Sequence, residues 1–384
     1  MLEDFLEKTE FADYKDFFAN YKIKVPANFN FGYDVVDVLA KRTPDANAFI
    51  WCNDNDEELR MTFGELKERT DRAAAYFRSI GIKRGDFVML ILQRRYEFWI
   101  SIVALHKIGA AVIPATHMLT TEDIVFRCNA AYIKAVIAVD HRELFTYIED
   151  AQKQCPSLKT LVAVPPFGID QGMSAEFKAK HPTWLDFTQG CKNVSDEELA
   201  DFHSLKREDI SKNDDIFLAY FTSGTTSHPK LVSHNFLYPL GHIVTASYWQ
   251  QVQKGGLHLT VADTGWGKAV WGKLYGQWMC ETAVFVYDFE RFHAEDILPM
   301  FKKYNITTFC APTTMYRFFI KEDLSKYDLS SLKYATIAGE ALNPEVFKLF
   351  KEKTGLEIME GFGQTETTLT IANLCGTVPK IGSM

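Results

Sequence analysis

The stretch IFLAYFTSGTTSHPK, Ile216 to Lys230, sets the reading of the whole chain. It runs from a continuous apolar segment directly into a loop, TSGTTSHPK, that gathers five hydroxyl residues, a glycine, a proline and a lysine. Hydroxyls and backbone N–H groups wrap oxyanions, glycine permits a tight turn, and a lysine adds a mobile cation. The composition therefore points to phosphates. Aligned on its lysine with the pattern G-x-x-x-x-G-K-[ST], the loop has Gly224 in place, but Pro229 stands at the second glycine and Leu231 at the magnesium-binding hydroxyl. That excludes the loop of the P-loop nucleotidases. The plain alternative is a solvent-exposed Ser/Thr-rich turn.

Outward from this loop, the chain alternates short apolar runs with amphipathic segments. From Thr62, TFGELKERTDRAAAYFRSIG predicts a helix: Thr62 and Glu65 suit a capping box, Phe63, Leu66, Ala73, Phe77 and Ile80 share one face, and Gly81 ends it. FVMLIL, AAVIPA and AVIAV follow, separated by helical stretches around YEFWISIVALHKIG and from Thr121. Beyond the loop come TAVFVYDF, ITTFCAP, LKYATIAGEAL and LEIMEGFG, with NPEVFKLFKEKTG as one intervening helix. Continuously apolar strands alternating with helices predict parallel sheets covered on both faces. The expected fold is α/β: two stacked doubly wound sheets with helices on both faces, then the start of a small β-barrel. The expected boundaries are 1–205 for the first layer, 206–235 for the connection and phosphate loop, 236–365 for the second layer and 366–384 for the barrel start. The polar stretch KREDISKNDD reads as a surface connection between the layers.

Composition narrows the classes. With 384 residues, 47% of them hydrophobic, the chain can bury a large core. Its seven cysteines are scattered and never spaced as C-x-x-C, which argues against a disulfide framework and a zinc site and favours a reducing compartment, expected to be the cytoplasm. MLEDFLEKTEFADYKDFF is acidic and amphipathic, unlike a secretory signal or transit peptide. No apolar run approaches the ~18 residues that suggest a membrane span. A formal net charge of -8 does not invite nucleic acid, so an anionic ligand needs a local constellation.

TSGTTSHPK resembles the phosphate-binding loop of the adenylate-forming superfamily, which includes acyl-CoA synthetases, peptide-synthetase adenylation domains and firefly-type luciferases. GEAL (Gly339 to Leu342) resembles that family's adenine-contacting turn, and GFGQTETT (Gly361 to Thr368) its aromatic-Gly-x-Thr-Glu segment. The amino-terminal half, from MTFGELKERTDRAAAYFRSIGIKRGDFVML through GAAVIPA, agrees as well. The chain departs from the pattern at Ser227 and Leu231, where many members carry glycine, and at Phe362, where many carry tyrosine. None of these changes removes a reacting group.

The resemblance implies an activity: a carboxylate joined to the α-phosphate of ATP, giving acyl-AMP and pyrophosphate, then acyl-CoA. Charge neutralisation and in-line positioning dominate such chemistry. By resemblance, Thr222, Ser223, Gly224, Thr225, Thr226, Ser227 and Lys230 hold phosphates, Thr365 contacts the α-phosphate, and Glu366 helps to hold Mg²⁺. Gly339, Glu340 and Ala341 line the adenine with Phe362, in a segment that includes Glu360, Gly361, Gly363 and Gln364. The bland readings are a surface carboxylate for Glu366 and a core ring for Phe362. For the acyl group, DTGWGKAVWGKLYGQW resembles the segment with an aromatic gate, here Trp266, followed by Gly267, Lys268 and Trp271. Acetate-specific relatives typically place a tryptophan at the position of Gly363, so glycine there is expected to open room for a longer acid. Lys268 reaches the carboxylate or caps the pocket with its stem, and Trp271 reads equally as core. His234 and His242 receive no role.

The resemblance further implies that the remaining barrel and a mobile carboxy-terminal domain lie outside this sequence, leaving the ATP- and acid-binding part, nearly inactive alone. Two other functions stay open: an adenylating enzyme that loads a carrier protein, and a non-catalytic nucleotide-binding module.

Overall fold

The computed structural model describes residues 1–222, 229–374 and 376–381. Among them, 15 strands form two sheets. In chain order these are β1 (Asn47–Asn53), β2 (Glu58–Thr62), β3 (Phe87–Ile91), β4 (Ala111–Pro114), β5 (Ala135–Val139), β6 (Thr160–Val164), β7 (Leu185–Asp186), β8 (Ile216–Thr222), β9 (Lys230–Asn235), β10 (Leu257–Thr260), β11 (Ala283–Asp288), β12 (Thr308–Ala311), β13 (Tyr334–Ile337), β14 (Ile358–Gly363) and β15 (Leu369–Ala372). One sheet has the order β7-β6-β5-β3-β4-β8-β9, and the other β15-β14-β13-β12-β10-β11-β1-β2. Pairing is parallel throughout except at β8–β9, β1–β2 and β14–β15.

The apolar runs become strands because burial on both faces leaves them no polar side to expose; β4 and β5 are buried at every residue. The helix Phe63–Ser79 starts at the expected capping box, in which the Thr62 hydroxyl accepts from the Glu65 N–H at 3.2 Å and the Glu65 carboxylate accepts from the Thr62 N–H at 2.8 Å. Such a cap contributes about 1 kcal/mol.

The expected boundaries do not follow the sheets. β1 and β2, inside 1–205, pair into the second sheet through β11, whereas β8 and β9 complete the first sheet beside β4. The five central residues of β1, Ala48 to Cys52, are all buried, so its apolar character fits an interior place in either sheet. Register with Val284 and Val286 chose one. The connection 206–215 exposes Lys206, Glu208, Asp209, Lys212 and Asp214 and is anchored at points: Ile210 and Ser211 are buried, and the Asn213 side chain accepts from the Phe29 N–H at 2.7 Å and donates to the Pro26 carbonyl at 2.9 Å. Residues 366–384 contribute β15, antiparallel on β14, with no later strand among the described residues.

The largest apolar cluster draws on both sheets, with Phe49 and Val284 from one and Val88 and Leu90 from the other. It includes Phe98 and Trp99 of the helix Glu97–Lys107, which is buried along its whole length. Its last residue, Lys107, is neutralised inside: its Nζ lies 2.6 Å from Asp37 Oδ1 and 2.6 Å from Asp71 Oδ1. In the second sheet the strand order reverses between β10 and β12, the kind of switch point where α/β sheets form a crevice at strand carboxyl ends.

Candidate functional site

The described motif residues lie on β8, β9 and β14, in the turns that follow β13 and β14, and on the loop and helix that follow β10. Ser223, Gly224, Thr225, Thr226 and Ser227 lie outside the described residues. Their flanks are β8, which ends at Thr222, and β9, which opens at Lys230; these two residues face each other across the antiparallel pair. Lys230 is exposed. Side chains alternate along a strand, so Lys230, Val232 and His234 share one face of β9.

That face meets the GFGQTETT segment. His234 donates from Nε2 to the Thr365 carbonyl at 2.7 Å, and its ring stacks on Tyr238 with centroids 3.9 Å apart. Burial pushes the imidazole below its ordinary value, against the Thr365 bond and the Glu366 carboxylate, which favour the charged form. A neutral ring donating from Nε2 follows. The turn itself is closed by Thr367, whose N–H donates to the Gln364 carbonyl at 3.0 Å and whose Oγ1 accepts from the Gln364 N–H at 3.1 Å. It leaves Thr365 half-buried and presents Gln364 and Glu366 to solvent.

Gly339, Glu340 and Ala341 form an exposed turn after β13. Gly339 has φ +94°, a conformation that side chains resist, so glycine is required there. The turn is held from behind: the Thr314 N–H and hydroxyl donate to the Glu340 carboxylate at 3.0 Å, and the Thr313 hydroxyl donates to the Ala341 carbonyl at 2.8 Å. Glu360, expected among the nucleotide-binding residues, is buried and accepts from the Leu342 N–H at 2.9 Å. Its carboxylate braces the turn. Gly361 is also internal, because a Cβ there would stand 2.5 Å from the Trp249 ring. Phe362 presents an exposed ring, with Ile371 of β15 opposite.

The residues expected to line the acyl group sit on the loop and helix that follow β10. Trp266 is 60% exposed at the N-cap of the helix Gly267–Gly272. Among the described residues a Cβ on Gly267 would meet Trp271 Nε1 alone, at 3.9 Å. Lys268 Nζ donates to the Ala338 carbonyl at 2.7 Å, which ties this helix to the strand end before the Gly339 turn. Burial pushes the Lys268 ammonium below its usual range, and the Glu340 carboxylate partly offsets this. Trp271 is buried, and its Nε1–H donates to the Tyr238 hydroxyl at 2.8 Å. The expected room over Gly363 is filled. A Cβ at 363 would stand 2.3 Å from the Trp271 ring, because the indole missing at 363 is replaced by one from the neighbouring helix.

Among the described residues, His234–Thr365, Lys268–Ala338, Trp271–Gly363 and Glu360–Leu342 tie β9, the helix Gly267–Gly272, the Gly339 turn and the GFGQTETT segment together. Sequence reasoning passed over His234 and Tyr238. The available signal was the two-residue alternation that sets His234 on the face of Lys230. Among the described residues no group of three or more His, Cys, Asp or Glu could cage a metal, and no helix is long and apolar enough to cross a membrane.

Residues 36–383 match the family of AMP-binding enzymes. Among curated relatives, the human protein named mitochondrial acyl-coenzyme A synthetase ACSM5 is 34% identical over 367 residues, covering 94% of this chain and 59% of its own length. The mouse protein named mitochondrial acyl-coenzyme A synthetase ACSM3 is 33% identical over 382 residues, covering 97% and 62%. Among solved structures, the Brucella canis acyl-CoA synthetase superposes with a TM-score of 0.75 at 19% identity, covering 92% of this chain and 60% of that one. The anthranilate CoA ligase AuaEII, in complex with anthranoyl-AMP, gives 0.77 at 21%, covering 94% and 63%. These structural likenesses speak for the fold. The chain spans about 60% of the length of these relatives.

Proposed function

Because this chain belongs to the AMP-binding enzyme family, we propose that it carries the ATP- and acid-binding part of an AMP-forming acid–thiol ligase acting on a short- or medium-chain carboxylic acid. What supports the reading is the family match over residues 36–383, together with the bond by which His234 joins β9, the strand that Lys230 opens, to the Thr365–Glu366 turn. In the reaction a carboxylate oxygen bonds to the α-phosphorus of ATP while the bond to the β-phosphate oxygen breaks, releasing pyrophosphate. The thiol sulfur of coenzyme A then bonds to the acyl carbon, its proton is lost, and AMP departs. No general base is needed for the first step, since the acid is already ionised.

In this reading the loop from Thr222 and the Lys230 ammonium neutralise the phosphates, and Thr365 orients the α-phosphate. Phe362 and the Gly339–Ala341 backbone enclose the adenine. Glu366 is an exposed single carboxylate, which suits Mg²⁺, an ion that keeps waters and phosphate oxygens as most of its ligands. Trp266 stands free to gate the acid, the missing side chain of Gly267 gives it space, and Trp271 is the wall against which its tail ends. The described cysteines are free thiols, in keeping with a reducing compartment; the cytosol is our assignment, and fractionation distinguishes it from the mitochondrial site named for the relatives.

The test is ATP–pyrophosphate exchange driven by a panel of straight-chain acids, followed by thioester formation with coenzyme A or a carrier protein as acceptor. Acid-dependent exchange with coenzyme A as the better acceptor is expected of the full-length enzyme. Preference for the carrier protein would move the chain to the loading enzymes. Nucleotide binding without any acid-dependent exchange would leave a binding module.

A further inference from the structure

We propose that His234 is a positioning residue that couples the phosphate strand to the Thr365–Glu366 turn, a deepening that rests on the functional reading above. Three features of its geometry carry this. His234 lies on the same face of β9 as Lys230, so one rigid strand supports both the proposed phosphate cation and the turn. Its Nε2–H donates at 2.7 Å to the backbone carbonyl of Thr365, the residue beside Glu366. A backbone bond of this kind fixes the peptide plane, and with it the direction in which the Thr365 hydroxyl and the Glu366 carboxylate face a bound triphosphate. Finally, the imidazole cannot swing away, because it is stacked on Tyr238 at 3.9 Å and 24°.

Tyr238 extends the coupling. Its hydroxyl donates to the Thr367 carbonyl at 3.4 Å and accepts from Trp271 Nε1 at 2.8 Å, so the turn and the acyl wall share one support. The adenine turn at Gly339 is held by Thr313, Thr314 and the Glu360 carboxylate, none of them a bonding partner of His234 among the described residues. Loss of the His234 bond should therefore disturb phosphate and metal placement while sparing the adenosine site. General loosening of the fold would weaken both.

The experiment is calorimetric titration of this chain with Mg·ATP and, separately, with adenosine, for wild type, His234→Phe, His234→Gln and His234→Asn, alongside thermal melts. Phenylalanine keeps the stack on Tyr238 without the N–H, glutamine places an amide nitrogen at the reach of Nε2, and asparagine falls one bond short. We expect His234→Phe and His234→Asn to bind Mg·ATP about 10-fold more weakly, the loss of one well-placed hydrogen bond, with adenosine affinity within about 2-fold. His234→Gln should stay within about 3-fold of wild type for both ligands. Should the phenylalanine variant fail to fold, the asparagine and glutamine pair decides. Equal losses for Mg·ATP and adenosine, or unchanged Mg·ATP affinity in a folded phenylalanine or asparagine variant, overturn the role of His234 and leave the functional reading standing. Wild type that binds neither ligand overturns both.

Discussion

The α-carbon of Gly363 lies against the Trp271 indole so closely that a methyl group built on it would stand 2.3 Å from Cη2 of that ring, and 2.5 Å from the Thr368 carbonyl oxygen. A single atom at 363 is therefore overpacked. Gly363→Ala should destabilise the fold by about 1–3 kcal/mol, the usual range for inserting a carbon into a filled core. In a Trp271→Ala background the same substitution should cost markedly less, because its main obstacle is gone; urea melts of the four-member cycle measure the coupling. Additive losses would mean that the Thr368 carbonyl, rather than Trp271, is the obstacle.

Trp271→Ala bears on the acyl pocket as well. If the indole is the wall against which the acid ends, its removal should shift preference in acid-dependent pyrophosphate exchange towards longer or bulkier acids. The preference for acetate should fall most. A uniform loss across the acid panel would confine Trp271 to packing.

Lys230 is exposed at the start of β9, so Lys230→Ala should leave the melting temperature nearly unchanged. Loss of a charge-assisted contact to phosphate is worth about 1.5–3 kcal/mol, hence Mg·ATP affinity should fall roughly 10- to 100-fold. Adenosine binding should hold. Calorimetry separates the two.

Lys107 presents the opposite case, a cation buried between two carboxylates at 2.6 Å each. Lys107→Met strips Asp37 of its ion pair and leaves Asp71 with Lys67 alone as a lysine partner, two carboxylates sharing one cation at the rim. Breaking a buried pair by removing one partner costs on the order of 3–5 kcal/mol. Chemical denaturation near neutral pH should show that loss, and Mg·ATP binding by the remaining folded fraction should be unaltered.

Asp288, at the end of β11, gives a pH signature. Burial pushes its carboxyl up to about 6, with the Arg94 guanidinium pulling the other way. The unfolded chain titrates near 3.9, so between about 4 and 6 the folded state binds more protons than the unfolded one. Stability from this group is full below the unfolded value and is lost as pH rises through the folded one. Asp288→Asn should therefore stabilise the protein near pH 8 by up to about 3 kcal/mol and make no difference near pH 3. A gain of equal size at both pH values would exclude ionisation as its origin.

The chain's local order was readable because each cue is short-ranged. FVMLIL, AVIAV and TAVFVYDF read as buried strands and became β3, β5 and β11, and Thr62 and Glu65 read as a capping box and open the helix Phe63–Ser79. The sequential order of TSGTTSHPK, GEAL and GFGQTETT likewise carried the family. Tertiary structure decided what depends on pairing at a distance. An apolar strand buried on both faces fits any interior slot of a parallel sheet, so nothing within β1 directed it to β11, or β8 to β4. Register with particular neighbours settled those places. Gly363 read as empty space because sequence records the side chain a position lacks and not the one that arrives from another helix. His234 read as a lone histidine for the same reason: its partner is a backbone carbonyl 131 residues away, and a carbonyl leaves no mark in the sequence.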